Sequence, residues 1–244
     1  MPFALYMLAL AVFVMGTSEF MLAGLLPAIA TELDVSVGTA GLLTSAFAVG
    51  MVIGAPVMAA FARRWPPRLT LIVCLIVFAG SHVIGAMTPV FSLLLITRVL
   101  SALANAGFLA VALSTATTLV PANQKGRALS ILLSGTTIAT VVGVPAGALL
   151  GTALGWRTTF WAIAILCIPA AVGVIRGVAN NVGRSATSAT SPRLRVELSQ
   201  LATPRLILAM ALGALINGGT FAAFTFLAPV VTKTAGLTDG WVSI

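Results

Sequence analysis

From Phe3 to Ala30 the chain runs through apolar residues with one charge among them, Glu19. A helix needs about 20 predominantly apolar residues to cross a bilayer, so this run spans one and holds Glu19 near its middle. Charged side chains at that depth are costly, and those that persist face a protein interior or a water-filled path where they handle ions, protons or substrate. Glu19 is therefore the expected mechanistic centre, and the remaining sequence supplies its surroundings.

Composition fixes the class. Hydrophobic residues make up 59% of the 244 and charged residues 7%, with a mean hydropathy of +1.13, too little polar surface for a soluble protein of this length. The net charge of +8 would point to nucleic acid in a soluble chain. Here the bases lie between apolar runs, where the positive-inside rule places them, so no nucleic-acid partner is expected. Cys74 and Cys167 each sit inside an apolar run and read as small buried hydrophobes. The first run is too long for a signal-peptide core and no Lys or Arg precedes it, so it is expected to remain as the first helix.

Seven apolar runs are predicted as spans: Phe3 to Ala30, Thr39 to Ala62, Leu69 to Thr88, Val90 to Val120, Ala128 to Leu154, Thr158 to Ile175 and Leu206 to Thr232. The loops at 63–68, 121–127 and 176–205 hold ten of the 13 Lys and Arg, which puts the N-terminus and the long connector in the cytoplasm of a plasma-membrane protein. Six spans and a cytoplasmic linker make one half of a two-bundle transporter. The linker is Ser/Thr/Ala-rich from Ser185 to Ser191, and Leu194, Leu198 and Leu201 suit a short helix on the membrane surface, or simply a solvated tether. In the seventh run Gly219-Thr220 precedes Pro229 much as Gly16-Thr17 precedes Pro27, a repetition of the kind transporters carry. Trp241 to Ile244 reads as the opening of an eighth helix, so a truncated second bundle is expected. The expected organisation is a six-helix bundle over 1–177, a linker over 178–204 and the start of a second bundle over 205–244.

Arg98, Ser101 and Asn105 lie at i, i+3 and i+7 of the fourth span, on one polar face that must point inward. At about 1.5 Å of rise per residue, Glu19 and Arg98 come close enough in depth for two long side chains or a bridging water. Apolar surroundings favour a neutral acid and a guanidinium favours the carboxylate, so moving Arg98 relative to Glu19 can load or release a proton. The competing readings are a permanent ion pair, or an Arg98 bound only to backbone carbonyls.

In the fifth span Gly135, Ala139, Gly143, Gly147, Gly151 and Gly155 recur every four residues, a stripe along which a partner helix can approach backbone to backbone. Pro145 interrupts the ladder in mid-stripe and is expected to kink it. The result is either a pivot for alternating access or static packing. His82, the only histidine, is either a proton shuttle or a hydrogen-bonded core residue. Asn105 and Asn217 are candidates for one substrate cavity or for interhelical glue. Phe13, Phe20, Phe108, Phe221 and Phe224 can line an apolar pocket, and Trp65, Trp156 and Trp161 suit interfacial anchors. There is no Walker-type glycine loop and no Cys/His set at metal-ligand spacing, so an enzyme, a cofactor and a metal site are not expected.

Several of these residues carry a family resemblance. Gly143-Val144-Pro145-Ala146-Gly147, continued by Gly151 and Gly155-Trp156-Arg157-Thr158-Thr159-Phe160, resembles the fifth-helix antiporter motif of the major facilitator superfamily and the turn after it. Arg98 matches the family's fourth-helix arginine. The segment from Ala59 to Leu69 sits where the family has its second-to-third loop motif: Arg64 and Arg68 are kept, while Arg63 stands for the usual aspartate and Pro66 for the usual glycine. Gly16-Thr17-Ser18-Glu19-Phe20 and the stretch from Ala40 to Pro56 resemble the proton-coupled drug exporters of the twelve-helix class, in particular the chloramphenicol-resistance exporters of high-GC Gram-positive bacteria. The resemblance implies an all-helical membrane fold, an N-terminal six-helix bundle followed by the seventh helix of a second one. It also implies export of chloramphenicol-like drugs in exchange for protons, with a missing C-terminal half. Glu19 and Arg98 would couple the proton, and Asn105, Ser101, Asn217, Phe20 and Phe108 are candidates to meet the drug. The alternatives are a sugar or metabolite exporter, using amide and hydroxyl groups such as Asn105, Ser101, Thr220 and Thr225, and a non-transporting membrane sensor or regulatory fragment.

Overall fold

The computed structural model describes residues 1–62, 65–178, 203–204, 206–216 and 218–219, with the side chains of 55, 56 and 59–62 left aside. It divides into two compact units, Met1–Ala186 and Thr187–Ile244. Among the described residues every regular element is helical: α1 Phe3–Glu32, α2 Val37–Ala62, α3 Pro67–Met87, α4 Phe91–Thr118, α5 Lys125–Ile138, α6 Val144–Leu154 and α7 Trp156–Gly177. A short 3-10 turn, Ala122–Gln124, leads into α5, and a π-helical turn, Ala139–Gly143, joins α5 to α6, so Ala122–Leu154 is one continuous fifth span. Among the described residues six segments are long and apolar enough to cross a membrane, the predicted first six, and the chain is a multi-pass membrane protein. In the second unit the described apolar helix covers Leu206–Ile216. Most of the linker, the predicted seventh span beyond Gly219, Arg64, Asn217, Thr220, Phe221, Phe224, Thr225 and the eighth-helix opening lie outside the described residues.

Local chemistry sets the ends. Leu33 closes α1 on Ile29 O, Asp34 takes a left-handed φ of 52°, and Val35 N–H bonds back to Ala30 O, so the loop turns at once toward α2. Ser36 Oγ then accepts from Thr39 N–H at 3.0 Å, the side-chain cap of α2. Pro67 opens α3 in the first turn, where a missing N–H costs nothing. Gly155, at φ 88°, makes the turn between the fifth span and α7.

Within the first unit, α1 packs on α5, the π turn, α6 and α7, while α2 packs on α4, and α3 on both α4 and α7. Small residues set these approaches. A methyl group on Gly143 would overlap Thr17, one on Gly151 would overlap Leu25, and one on Gly135 would overlap the carbonyl oxygen of Ala9. The stripe read from the sequence therefore lies against α1, meeting its backbone at Gly135 and the side chains of Thr17, Met21 and Leu25 further along. Gly50 and Gly54 of α2 do the same toward Ala102 and Ala106 of α4. The disturbance expected at Pro145 is a widened turn just before it: Val144 N–H reaches back to Ala139 O, five residues away, and Pro145 has no N–H to offer Val141.

One end of the bundle, away from the N-terminus, is fastened by Glu32. Its Oε2 accepts from Trp156 Nε1 at 2.6 Å and its Oε1 from Arg157 Nε at 2.7 Å, and Arg157 Nη1 donates to Ala86 O and Thr88 O. Trp156, expected at the membrane interface, is 1% exposed: its indole is edge-on to Phe160 and beneath the Arg157 guanidinium. At the other end Arg68 Nη2 donates to Ile175 O at 2.6 Å, joining α3 to α7.

Candidate functional site

Among the described residues Glu19 and Arg98 are the charges in the interior of the six spans; Glu32, Arg68, Lys125, Arg127, Arg157 and Arg176 lie within two turns of a span end. Successive residues of a helix point about 100° apart, and Thr17, Ser18 and Glu19 use this to address different neighbours. Thr17 turns its hydroxyl to Phe13 O at 2.8 Å and fills the space left by Gly143. Ser18 is fully buried and meets Arg98 and His82. Glu19, half-buried, meets Asn105.

Arg98 is 1% exposed. Its Nη1 donates to Ser18 Oγ at 3.1 Å and its Nη2 to Ser18 O at 3.2 Å, and its guanidinium lies 4.6 Å from the ring centre of Phe47 on α2. Its Nε has no hydrogen-bond partner. The guanidinium is thus anchored to α1 at the residue before Glu19. The Glu19 carboxylate accepts instead from Asn105 Nδ2 at 3.2 Å, two turns further along α4. Among the described residues the Glu32–Arg157 bridge, and no Glu19–Arg98 bridge, falls within ion-pair distance.

The predicted polar face of α4 does point inward: Arg98, Ser101 and Asn105 are all buried. Ser101 turns its hydroxyl to Arg98 O at 2.9 Å, on its own helix. Phe108 is fully buried in the bundle core rather than lining an open space, and Phe20 is half-buried beside Glu19 in sequence. Gly135, Ala139, Gly143, Gly147 and Gly151 form the buried seam with α1, and Pro145 lies just past the π turn. Arg68 is at the bundle end, far along α3 from His82.

His82 enters the same cluster from α3. It is 1% exposed, its Nδ1 lies 2.7 Å from Phe78 O, its Nε2 lies 2.6 Å from Ser18 Oγ, and its ring packs against Phe78 and Phe160. Sequence reasoning did not single out Ser18 or Phe47. A buried hydroxyl beside the intramembrane acid was a usable signal for Ser18, whereas Phe47 stands in an apolar run with nothing to mark it. The cluster can hold a fixed positive charge in the membrane interior and, one helical residue away, a carboxylate tied to a single neutral donor. Among the described residues no group of His, Cys, Asp and Glu is arranged to hold a metal ion.

Comparison with known proteins agrees with this arrangement at the level of fold and family. The chain is 63% identical over its whole length to a chloramphenicol resistance protein of Streptomyces lividans, spanning 62% of that protein, and 32% identical over 99% of its length to the inner membrane transport protein YdhP of Escherichia coli K12, spanning 61% of it. It therefore covers less than two thirds of the curated relatives it matches. Among solved structures it resembles a peptide transporter, POT, with TM-score 0.68 at 17% identity, covering 94% of this chain and 50% of that one. It also resembles the human organic anion transporter MFSD10, with TM-score 0.56 at 17% identity, covering 72% of this chain and 47% of that one. Both likenesses show the fold alone. With residues 8–244 matching the family's model, the chain belongs to the Major Facilitator Superfamily.

Proposed function

We propose that this protein is a secondary transporter that exports chloramphenicol or similar amphiphilic antibiotics in exchange for protons. The observation that carries the reading is the placement of Glu19: it is the one carboxylate in the interior of the spans, held by Asn105 beside a guanidinium that is itself fixed to Ser18. A carboxylate with one neutral partner can take up a proton and give it back as that partner and the nearby positive charge move. The 63% identity to a chloramphenicol resistance protein supports the substrate class. A neutral amphiphile needs aromatic and amide contacts more than a counter-charge, which leaves Glu19 to the proton.

In this reading the first unit is the N-terminal bundle, with its N-terminus and the following linker in the cytoplasm, and Glu19 handles the proton. The relatives' additional length supplies that second bundle. Drug, proton and lipid are the partners, and no cofactor or nucleic acid takes part. The test is drug-driven proton release from the protein expressed from its complete reading frame, purified and reconstituted in liposomes. Chloramphenicol should release protons from the wild type and not from Glu19→Gln, and resistance in a sensitive host should disappear with an uncoupler. Unchanged proton release in Glu19→Gln would overturn the reading.

A further inference from the structure

The hydrogen-bond directions around Ser18 are fixed by counting donors and acceptors. Phe78 O can only accept, so the proton on that side belongs to His82 Nδ1. Both Arg98 nitrogens can only donate, so Ser18 Oγ accepts from Nη1 and Ser18 O from Nη2. The acceptor facing the Ser18 hydroxyl in this cluster is His82 Nε2, at 2.6 Å. Were Nε2 also protonated, the hydroxyl would receive two donors and its own proton would have to turn away to the helix backbone, and a second positive charge would stand beside Arg98 in a site where Ser18 is fully buried and His82 and Arg98 are each 1% exposed. The arrangement that satisfies every group is a neutral imidazole, protonated on Nδ1, taking the serine proton on Nε2. The Phe78 and Phe160 rings hold the imidazole in that orientation.

We propose that His82 is a positioning residue for Arg98. By accepting the Ser18 hydroxyl proton, His82 turns a serine lone pair toward the guanidinium and pins it to α1 one residue short of Glu19, leaving the carboxylate to Asn105. Without the imidazole acceptor, the hydroxyl rotates to a backbone carbonyl of its own helix, as Thr17 and Ser81 do. The Arg98 Nη1 bond weakens, and the guanidinium is freed toward Glu19. The function of His82 is then to set which partner Arg98 keeps, and it needs no proton of its own to move. The proposal rests on the exchange reading for its kinetic consequence, though not for its geometry.

The experiment uses the full-length protein in liposomes, with His82→Leu to remove the acceptor, His82→Gln to restore one through the amide oxygen, Ser18→Ala, and the His82→Leu/Ser18→Ala double variant. The 15N-histidine spectrum of wild type minus that of His82→Gln should show a neutral ring with a pyrrole-type Nδ1 and a pyridine-type Nε2. Exchange turnover should fall about tenfold in His82→Leu, the scale of one buried hydrogen bond to a charged group, with the drug KM changed less than about twofold. His82→Gln should recover most of the turnover, and the double variant should be no worse than either single one, because both remove the same link. An imidazolium spectrum, the opposite tautomer, a His82→Gln variant as impaired as His82→Leu, or additive single and double effects would each overturn the proposal. A wild type that releases no protons would sink the exchange reading alone. The tautomer and the same mutant cycle read on thermal stability would still decide the role of His82.

Discussion

The seam between α1 and the fifth span makes a sharp prediction at Gly135. A Cβ added there would stand 3.0 Å from Phe13 N and 3.1 Å from Val12 Cβ and would overlap the carbonyl oxygen of Ala9. Two of these three atoms are backbone, so no rotamer change relieves the contact. Restoring ordinary contact means moving α1 outward, from 3.0 to 3.4 Å at Phe13 and further at Ala9. Overpacking of this kind costs about 1–3 kcal/mol, while replacing a helical glycine with alanine returns up to about 1 kcal/mol of helix propensity. The expected balance for Gly135→Ala is a loss of about 1–2 kcal/mol, or a fall in Tm of about 2–8 °C for a protein of this size. Gly80, in the middle of α3, has nothing within 4 Å of its would-be Cβ, so Gly80→Ala keeps the propensity gain without the clash. Size-exclusion recovery after stepwise heating in detergent measures both. A Gly135→Ala variant that melts at or above Gly80→Ala would refute the claim that the glycine stripe is a tight backbone seam.

Three further outcomes are expected. Arg157→Ala strips hydrogen bonds from Ala86 O and Thr88 O as well as from Glu32, so it should destabilise by about 1–3 kcal/mol; Glu32→Gln, which alters one exposed ion pair and keeps an acceptor for Trp156, should cost under about 1 kcal/mol on the same heating assay. Gly155→Ala has room for a methyl group, yet its φ of 88° makes the backbone itself unfavourable, and a loss of about 1–2 kcal/mol is expected despite the absence of any clash. Cys74 and Cys167, each 2% exposed, should resist a membrane-permeant maleimide in native membranes and react fully after denaturation, as mass spectrometry of the alkylated protein would show.

The first six spans were legible because hydropathy alone carries them, and their ends differ from expectation for local reasons. The second begins at Val37 rather than Thr39 because the Ser36 cap extends it backward. In the fifth, α5 begins at Lys125 rather than Ala128: its basic first turn is helical but too polar to read as part of an apolar run. Pro145 marked a real disturbance, though its form, a π turn over Ala139–Gly143, depends on the neighbouring carbonyls and leaves no separate trace in the sequence. That the polar face of α4 turns inward followed from its i, i+3, i+7 spacing. Which α1 residue each member meets did not follow, because the relative register of two spans is set by how their small residues nest. Here Arg98 falls on Ser18 and Asn105 on Glu19. His82 and Ser18 lie 64 residues apart on different helices, so neither announces the other.

The two links between α1 and α4 differ in strength, and the difference bears on which group can change state. Arg98 meets Ser18 through two charge-assisted hydrogen bonds, with the serine hydroxyl held in turn by His82 and the guanidinium covered by Phe47. Bonds to a buried charge contribute about 1.5–3 kcal/mol each, and separating these would strand a guanidinium whose Nε already lacks a partner. Glu19 meets Asn105 through one bond at 3.2 Å, on a carboxylate that is only half-buried. It too is a bond to a charge, but a single, long and partly solvated one, at the low end of about 1.5–3 kcal/mol, where Arg98 has two. A disturbance from a ligand or a neighbouring helix therefore opens the Glu19–Asn105 link first, while the Arg98–Ser18 anchor holds. The carboxylate is the member of this cluster whose partner is cheapest to replace, and the positive charge beside it is the member built to stay.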